Sequence, residues 1–347
     1  MANTVDVVIK DCTGCRTCEQ ICPQNAITMQ ENEEGFLYPI IDKKKCINCG
    51  LCLKKCHTTK SANLSDFKQE FLAVKPVKKE IAKNSTSAGL ASIISNYVLR
   101  NNGTIFGASY SKKFYVQHIK VTNTKELNKL KGSKYVISDT LDTFSQVKKE
   151  LEEGKIVLYI GTPCQIAGLK LFLGKDYKNL YTIDLVCHGT PSAKIFSKYL
   201  KFLEGKYKSK IIQYDFRSKD KKKWGLGLSS KIRFKNLKTN QEFVKYFNAS
   251  LDSYYYNFLR GNIYRESCYN CKYADCDKRP ADITLGDYWG IEKFRPEFYD
   301  ENGVSLCIVN TDKGKELMNK IKEELIIEST TKEEATAQNG NLVRPTI

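Results

Sequence analysis

The chain has 347 residues, 41% of them hydrophobic, and its 56 basic against 39 acidic side chains give a formal charge of +17. That length buries a sizeable core as one large domain or two to three smaller ones, and no apolar run reaches the roughly 18 residues of a membrane span. Met1 to Lys10 lacks the basic start and apolar stretch of a signal peptide, so a cytoplasmic location is expected and disulfides are disfavoured as the reason for 14 cysteines.

Lysines are spread along the chain in short runs, such as Lys43-Lys44-Lys45 and Lys221-Lys222-Lys223, which read as solvated faces. A nucleic-acid partner is disfavoured, because no recognisable module interleaves aromatics with the basic residues. The same positive field suits acidic redox proteins such as ferredoxin, or flavin phosphates.

Residues 1 to about 60 hold an internal repeat. Cys12, Cys15, Cys18 and Cys22, followed by Pro23, form the CxxCxxCxxxCP run that binds iron-sulfur clusters, and Cys46, Cys49, Cys52 and Cys56 repeat it. Three cysteines at steps of three wrap a loop around one cluster, while the fourth ligates the other. Cys12, Cys15, Cys18 and Cys56 are therefore expected to hold one 4Fe-4S cluster, and Cys46, Cys49, Cys52 and Cys22 a second. The competing reading is zinc, whose sites usually pair two CxxC elements instead. The segment resembles the bacterial two-cluster ferredoxins, with His57 standing where a second proline is usual.

Residues 61 to about 83 read as a polar, lysine-rich linker around Pro76. From 84 onward helix and strand patterns alternate. A helix is expected over about 87–100, then a strand from Thr104 to Ser109. Ile156 to Ile160 and Leu180 to Val186 read as strands that end in Gly161-Thr162-Pro163-Cys164 and Cys187-His188-Gly189, each followed by a helix. These two cysteines thus sit at the carboxyl edge of a sheet, where ligands bind in open α/β folds. A hairpin is expected over 228–234 and 242–247, further strands at 282–285 and 304–310, and a helix from Thr311 to Ile326.

Asn84-Ser85-Thr86-Ser87-Ala88-Gly89, Lys131-Gly132-Ser133-Lys134-Tyr135, Gly161 to Gln165, Val186 to Gly189, Cys268-Tyr269-Asn270-Cys271 and Asp282 to Gly290 occur in this order. Together they resemble the beta-subunit family of coenzyme F420 hydrogenases and dehydrogenases, over residues 84 to 345. The resemblance implies an FAD-containing α/β domain with its own 4Fe-4S cluster, making three clusters in all. It implies Cys164, Cys187, Cys268 and Cys271 as the third ligand set, with Cys276 as the substitute and Cys307 a buried strand residue. It places Ser85, Thr86, Ser87 and Gly89 at the flavin pyrophosphate, where helix-start N–H groups suit an anion. Ser133, Lys134 and Tyr135 are placed beside the flavin, Lys134 as a cation, although a lysine after Gly-Ser is ordinarily a solvated turn residue. His188 is read either as a proton relay or as a backbone-bonded side chain. Arg217, Trp224 and Gly225 line a substrate mouth or order a loop. Asp287 and Trp289 pack near the third cluster, Trp289 as core. Family members run on past Asn341 to Pro345, so the resemblance also implies a shortened carboxyl tail.

The expected fold is an α+β ferredoxin-like two-cluster domain at 1–60, the linker at 61–83, and a larger α/β flavin-binding domain with a mixed sheet at 84–347, divided near 150. The expected function is an iron-sulfur flavoprotein oxidoreductase passing electrons between the clusters and FAD, and a hydride to or from a soluble small-molecule acceptor, coenzyme F420 or another. The alternative is a non-catalytic electron-transfer subunit feeding a separate catalytic partner. No catalytic side chain is assigned.

Overall fold

A computed structural model describes residues 3–60 and 66–346. The first module is small. Strands β1 (Ile27–Glu31) and β2 (Leu37–Ile41) pair antiparallel, with Ile27 opposite Ile41, and the short helices Thr17–Ile21 and Leu51–Lys54 lie against each other. The repeat recurs in the backbone. Gly14 and Asn48 both take a left-handed conformation, as do Arg16 and Gly50, with φ between 53° and 74°. Each cysteine loop therefore curls inward at the same two points before its helix begins.

The remainder is built on an eight-stranded sheet. Its strands are β3 (Glu70–Pro76), β4 (Thr104–Tyr110), β5 (Val116–Val121), β6 (Val157–Gly161) and β7 (Leu180–Leu185), and after an inserted sheet β8 (Ser209–Asp215), β9 (Ser229–Asn236) and β10 (Glu242–Asn248), then β11 (Ile283–Asp287), β12 (Ser305–Val309) and β13 (Leu325–Thr330). The order is β13-β3-β12-β11-β7-β6-β4-β5, and the central β11, β7, β6 and β4 run parallel. Val157, Leu158 and Tyr159 are fully buried, as expected of a parallel strand covered on both faces. β8, β9 and β10 form a separate antiparallel sheet against the helix Ala193–Tyr207, sealed by Phe196, Tyr214, Phe216 and Phe234.

Two expectations are corrected. Of the stretch 61–83, residues 61–65 lie outside the described residues, and most of the rest is structured. β3 runs through it between β12 and β13, with Ala73 and Val74 buried, and the helix Lys79–Lys83 follows. The surrounding lysines mask a short apolar run that is a core strand. The helix expected over 311–326 ends at Ile321, and Leu325–Thr330 is strand β13 pairing with β3. Pairing with a neighbouring strand overrides the local helical pattern there.

Candidate metal and cofactor centre

The two cysteine runs interleave in space. Cys12, Cys15, Cys18 and Cys56 line one cavity, and Cys22, Cys46, Cys49 and Cys52 line a second of nearly equal size, about 380 and 360 Å³ counting space open to solvent. Backbone N–H groups of Gly14 and Ala26 point at the sulfurs of Cys12 and Cys22, both at 3.4 Å. Hydroxyls of Thr17 and Thr58 lie 3.3 and 3.0 Å from Cys15 and Cys56. Burial pushes the Cys15 thiol up to about 11, despite the Thr17 bonds, with Cys56 and Cys12 adding to the rise. Thiolates this crowded need a multivalent cation among them.

A third set assembles from separate elements. Cys164 is the second residue of the helix Pro163–Leu173 at the end of β6, and Cys187 lies just past β7. Cys268 sits in the short helix Glu266–Tyr269, with Cys271 following it. Gln165 fixes the first of these helices, accepting from the Thr162 N–H at 3.0 Å and donating to Ser138 O at 2.8 Å. Burial raises the Cys164 thiol well above its ordinary range, and Cys271, Cys187 and Cys268 push it the same way. Cys187 is raised to about 12 by burial, then by Cys268 and Cys271, while Arg279 opposes. Cys276 is turned elsewhere, toward Asp277 and Lys332, and Cys307 is wholly buried in β12.

Donor chemistry favours a cluster over zinc in the first module: each of its two sets is four cysteines drawn from the CxxCxxCxxxC spacing of iron-sulfur proteins, whereas zinc sites usually pair two CxxC elements. Apart from these sets, ligand atoms of Asp275, Cys276 and Asp277 lie within 4.8 Å of one another. Asp277 is already paired with Lys332 at 2.6 Å.

The residues expected at a flavin fall into one neighbourhood. Ser85 Oγ donates to Ile81 O and Ser87 Oγ to Val304 O, which fixes the 85–89 loop. Gly89 has φ +88°, and a Cβ there would lie 2.7 Å from both Ile81 Cγ2 and Ser85 Oγ. Thr86 and Ser133 are half-buried beside these segments. Lys134 donates to the carbonyls of Leu130, Lys131 and Gly132 at 3.0–3.2 Å, so its ammonium holds its own turn; burial pulls it down to about 8. The Tyr135 ring stacks on Phe258 at 4.4 Å, and its hydroxyl accepts from Arg217 at 3.3 Å.

Arg217 joins these segments. It forms a two-pronged pair with Asp287 at 2.7 and 3.3 Å, and Trp224 Nε1 donates to the same carboxylate at 2.7 Å. Trp224 stacks on Trp289 at 5.2 Å. Lys219, which the sequence did not single out, donates to Ala82 O, Ser87 O and Asn302 O, tying the 85–89 loop to the same site; burial and Arg217 bring it down to about 8. The third cysteine set borders this site. A side chain on Gly286 would meet Val186 at 2.7 Å, so the strand carrying Asp287 lies against the residue before Cys187. His188 Nδ1 is held by Tyr264 Oη and its ring lies 5.5 Å from Phe258.

Two family models match the chain. The one describing the C terminus of the coenzyme F420 hydrogenase/dehydrogenase beta subunit matches residues 154–335, and the 4Fe-4S dicluster domain matches residues 11–60. The coenzyme F420-dependent sulfite reductase of Methanocaldococcus jannaschii is 26% identical over 315 residues, 90% of this chain and 46% of that protein. The chain thus spans about half the length of that relative. An uncharacterized ferredoxin of the same organism is 33% identical over 84 residues, 24% of this chain and 97% of that protein. A chain of the F420-reducing [NiFe] hydrogenase complex from Methanosarcina barkeri aligns over 79% of this chain and 89% of its own, with 16% identity and a TM-score of 0.47. No helix among the described residues is long and apolar enough to cross a membrane.

Proposed function

We propose a function from one premise: the chain belongs to the coenzyme F420 hydrogenase/dehydrogenase beta-subunit family, with a 4Fe-4S dicluster domain ahead of the family region. It acts as an iron-sulfur flavoprotein oxidoreductase with three 4Fe-4S clusters and one FAD, linking a one-electron redox protein to a soluble small-molecule acceptor such as a deazaflavin. The observation that carries this reading is the gathering of Cys164, Cys187, Cys268 and Cys271 beside the Arg217–Asp287 pair.

When bound, FAD supplies the exchange between single electrons and a hydride, which clusters alone do not perform. The side chains around its site have plain tasks. Arg217 and Lys219 place positive charge where an anionic flavin or phosphate would sit, and Asp287 holds the guanidinium plane in position. Ser85, Thr86, Ser87 and Gly89 offer the loop before the helix Leu90–Arg100, whose first-turn N–H groups favour an anion. Ser133, Lys134 and Tyr135 shape the opposite wall, with Lys134 holding the turn. Trp224 and Trp289 exclude water between this site and the core under β12.

Anaerobic purification with iron, sulfide and flavin quantified tests the reading. About twelve irons and one FAD per chain are expected, from three clusters of four irons. About eight irons would overturn the third cluster, and twelve irons without flavin would turn the chain into an electron-transfer subunit.

A further inference from the structure

We infer that Gly168 is a positioning residue for electron passage, its missing side chain seating the Cys12, Cys15, Cys18 and Cys56 set directly against the helix that carries Cys164. The inference rests on the three-cluster reading above and adds the order of the wire.

Gly168 lies inside the helix Pro163–Leu173, one turn beyond Cys164, and its backbone is not in the left-handed region that would call for glycine. A helix-interior glycine is less stable than alanine by about 0.5–1 kcal/mol, so something outside the helix must require it. That requirement is the other module. A Cβ at 168 would lie 2.7 Å from Thr17 Oγ1, 3.0 Å from Cys15 Sγ and 3.2 Å from Cys15 Cβ. By contrast, a Cβ on Gly205, in the helix Ala193–Tyr207, would meet nothing within 4 Å.

Tyr273 fills the rest of the seam. It is 5% exposed, it lies among Cys164, Cys15, Cys271 and Cys56, and its hydroxyl meets His57 Nδ1 at 3.1 Å. Hydrogen bonds from the larger domain lock this edge. Thr140 donates to Cys15 O at 3.0 Å, Arg265 to Cys12 O at 2.5 Å and Leu37 O at 2.8 Å, and Ser267 to Cys12 O at 3.1 Å. Both cavities are lined wholly by the first module, so it is these hydrogen bonds and the Gly168 contact that set the Cys12 set apart, while Cys49 of the other set is exposed.

The order is therefore solvent, outer set, Cys12 set, Cys164 set. Each passage moves one electron: the donor cluster is oxidised by one, the acceptor reduced by one, and no bond or proton changes. A one-electron carrier protein at the outer set supplies or removes that electron.

The test uses the full chain, purified anaerobically and reduced with dithionite, read by iron count and by the magnetic interaction between reduced clusters in EPR. Wild type should show an interaction that survives in the Cys46→Ala/Cys49→Ala double variant, which lacks the outer cluster, and in Gly205→Ala. Adding Gly168→Ala to that double variant, where the first two clusters no longer interact, should weaken it while leaving the remaining iron in place. An interaction unchanged by Gly168→Ala in that background, or lost in the double variant itself, overturns the inference. Should Gly168→Ala shed iron, Tyr273→Leu decides by rapid-mixing reduction of the third cluster: slower supports the order, unchanged overturns it. Wild type with only about eight irons would instead sink the three-cluster reading, so the two failures are distinct.

Discussion

Arg279 Nη2 lies 2.5 Å from Asp184 Oδ1, with the two side chains only 1% and 0% exposed. The same guanidinium donates to Tyr273 O and Leu185 O at 2.7 and 2.8 Å, so it ties the end of β7 to the segment that follows Cys271. Its charge also favours the thiolate forms of Cys187 and Cys271. Arg279→Ala strands a buried carboxylate, a change that costs about 3–5 kcal/mol. The variant should melt earlier in calorimetry and lose the third cluster's iron first. An unchanged melting profile would show that the pair does not brace this site.

Cysteine variants discriminate ligand from neighbour. Cys271→Ala removes a member of the third set and should lower iron from about twelve to about eight per chain, two clusters of four remaining. Cys276→Ala should leave iron unchanged, because that thiol faces Asp277 and Lys332. Iron analysis on the two proteins settles the point, and equal losses would reinstate Cys276 as a ligand.

Asp287→Asn keeps the size of the side chain but removes the charge that holds Arg217 and weakens the acceptor for Trp224 Nε1. Charge-assisted bonds are roughly twice as strong as neutral ones, so the guanidinium should lose its fixed orientation. Flavin released on denaturation should fall well below one per chain while iron stays at the wild-type level. Full flavin retention with unchanged affinity would place the flavin elsewhere.

What could be read from the sequence followed distance along the chain. The first two cysteine sets are local spacing, and the left-handed Gly14, Arg16, Asn48 and Gly50 fall at matching points of that repeat. Cys164 and Cys187 could be placed at strand ends because β6 is an unbroken apolar run and β7 repeats its design, each ending shortly before a Gly-Thr-Pro or Cys-His-Gly segment. β3 was hidden, since its partners β12 and β13 lie more than 200 residues away and lysines flank it. No sequence signal marks Lys219 or Arg265, because their acceptors are backbone carbonyls brought near only by folding. Gly168 is likewise an ordinary helix residue until the two modules meet.

His118 provides a pH signature independent of metal. It is fully buried on β5, with Nε2 at 3.0 Å from Ile160 O, Nδ1 at 2.8 Å from Ser138 Oγ, and its ring stacked on Tyr159 at 5.1 Å. Burial lowers it from 6.5 to about 4, against the opposing pull of the Ile160 carbonyl and Asp139. The folded chain thus binds fewer protons than the unfolded one between these two values. The resulting stability is complete above about pH 6.5 and is lost as pH falls toward 4, a change on the order of 2–3 kcal/mol. Denaturant unfolding at pH 7.5 and 5.0 should show that loss in wild type. His118→Gln should be less stable at pH 7.5, yet lose less between the two pH values because the titrating group is gone. Equal pH slopes in the two proteins would show that His118 does not carry this part of the acid sensitivity.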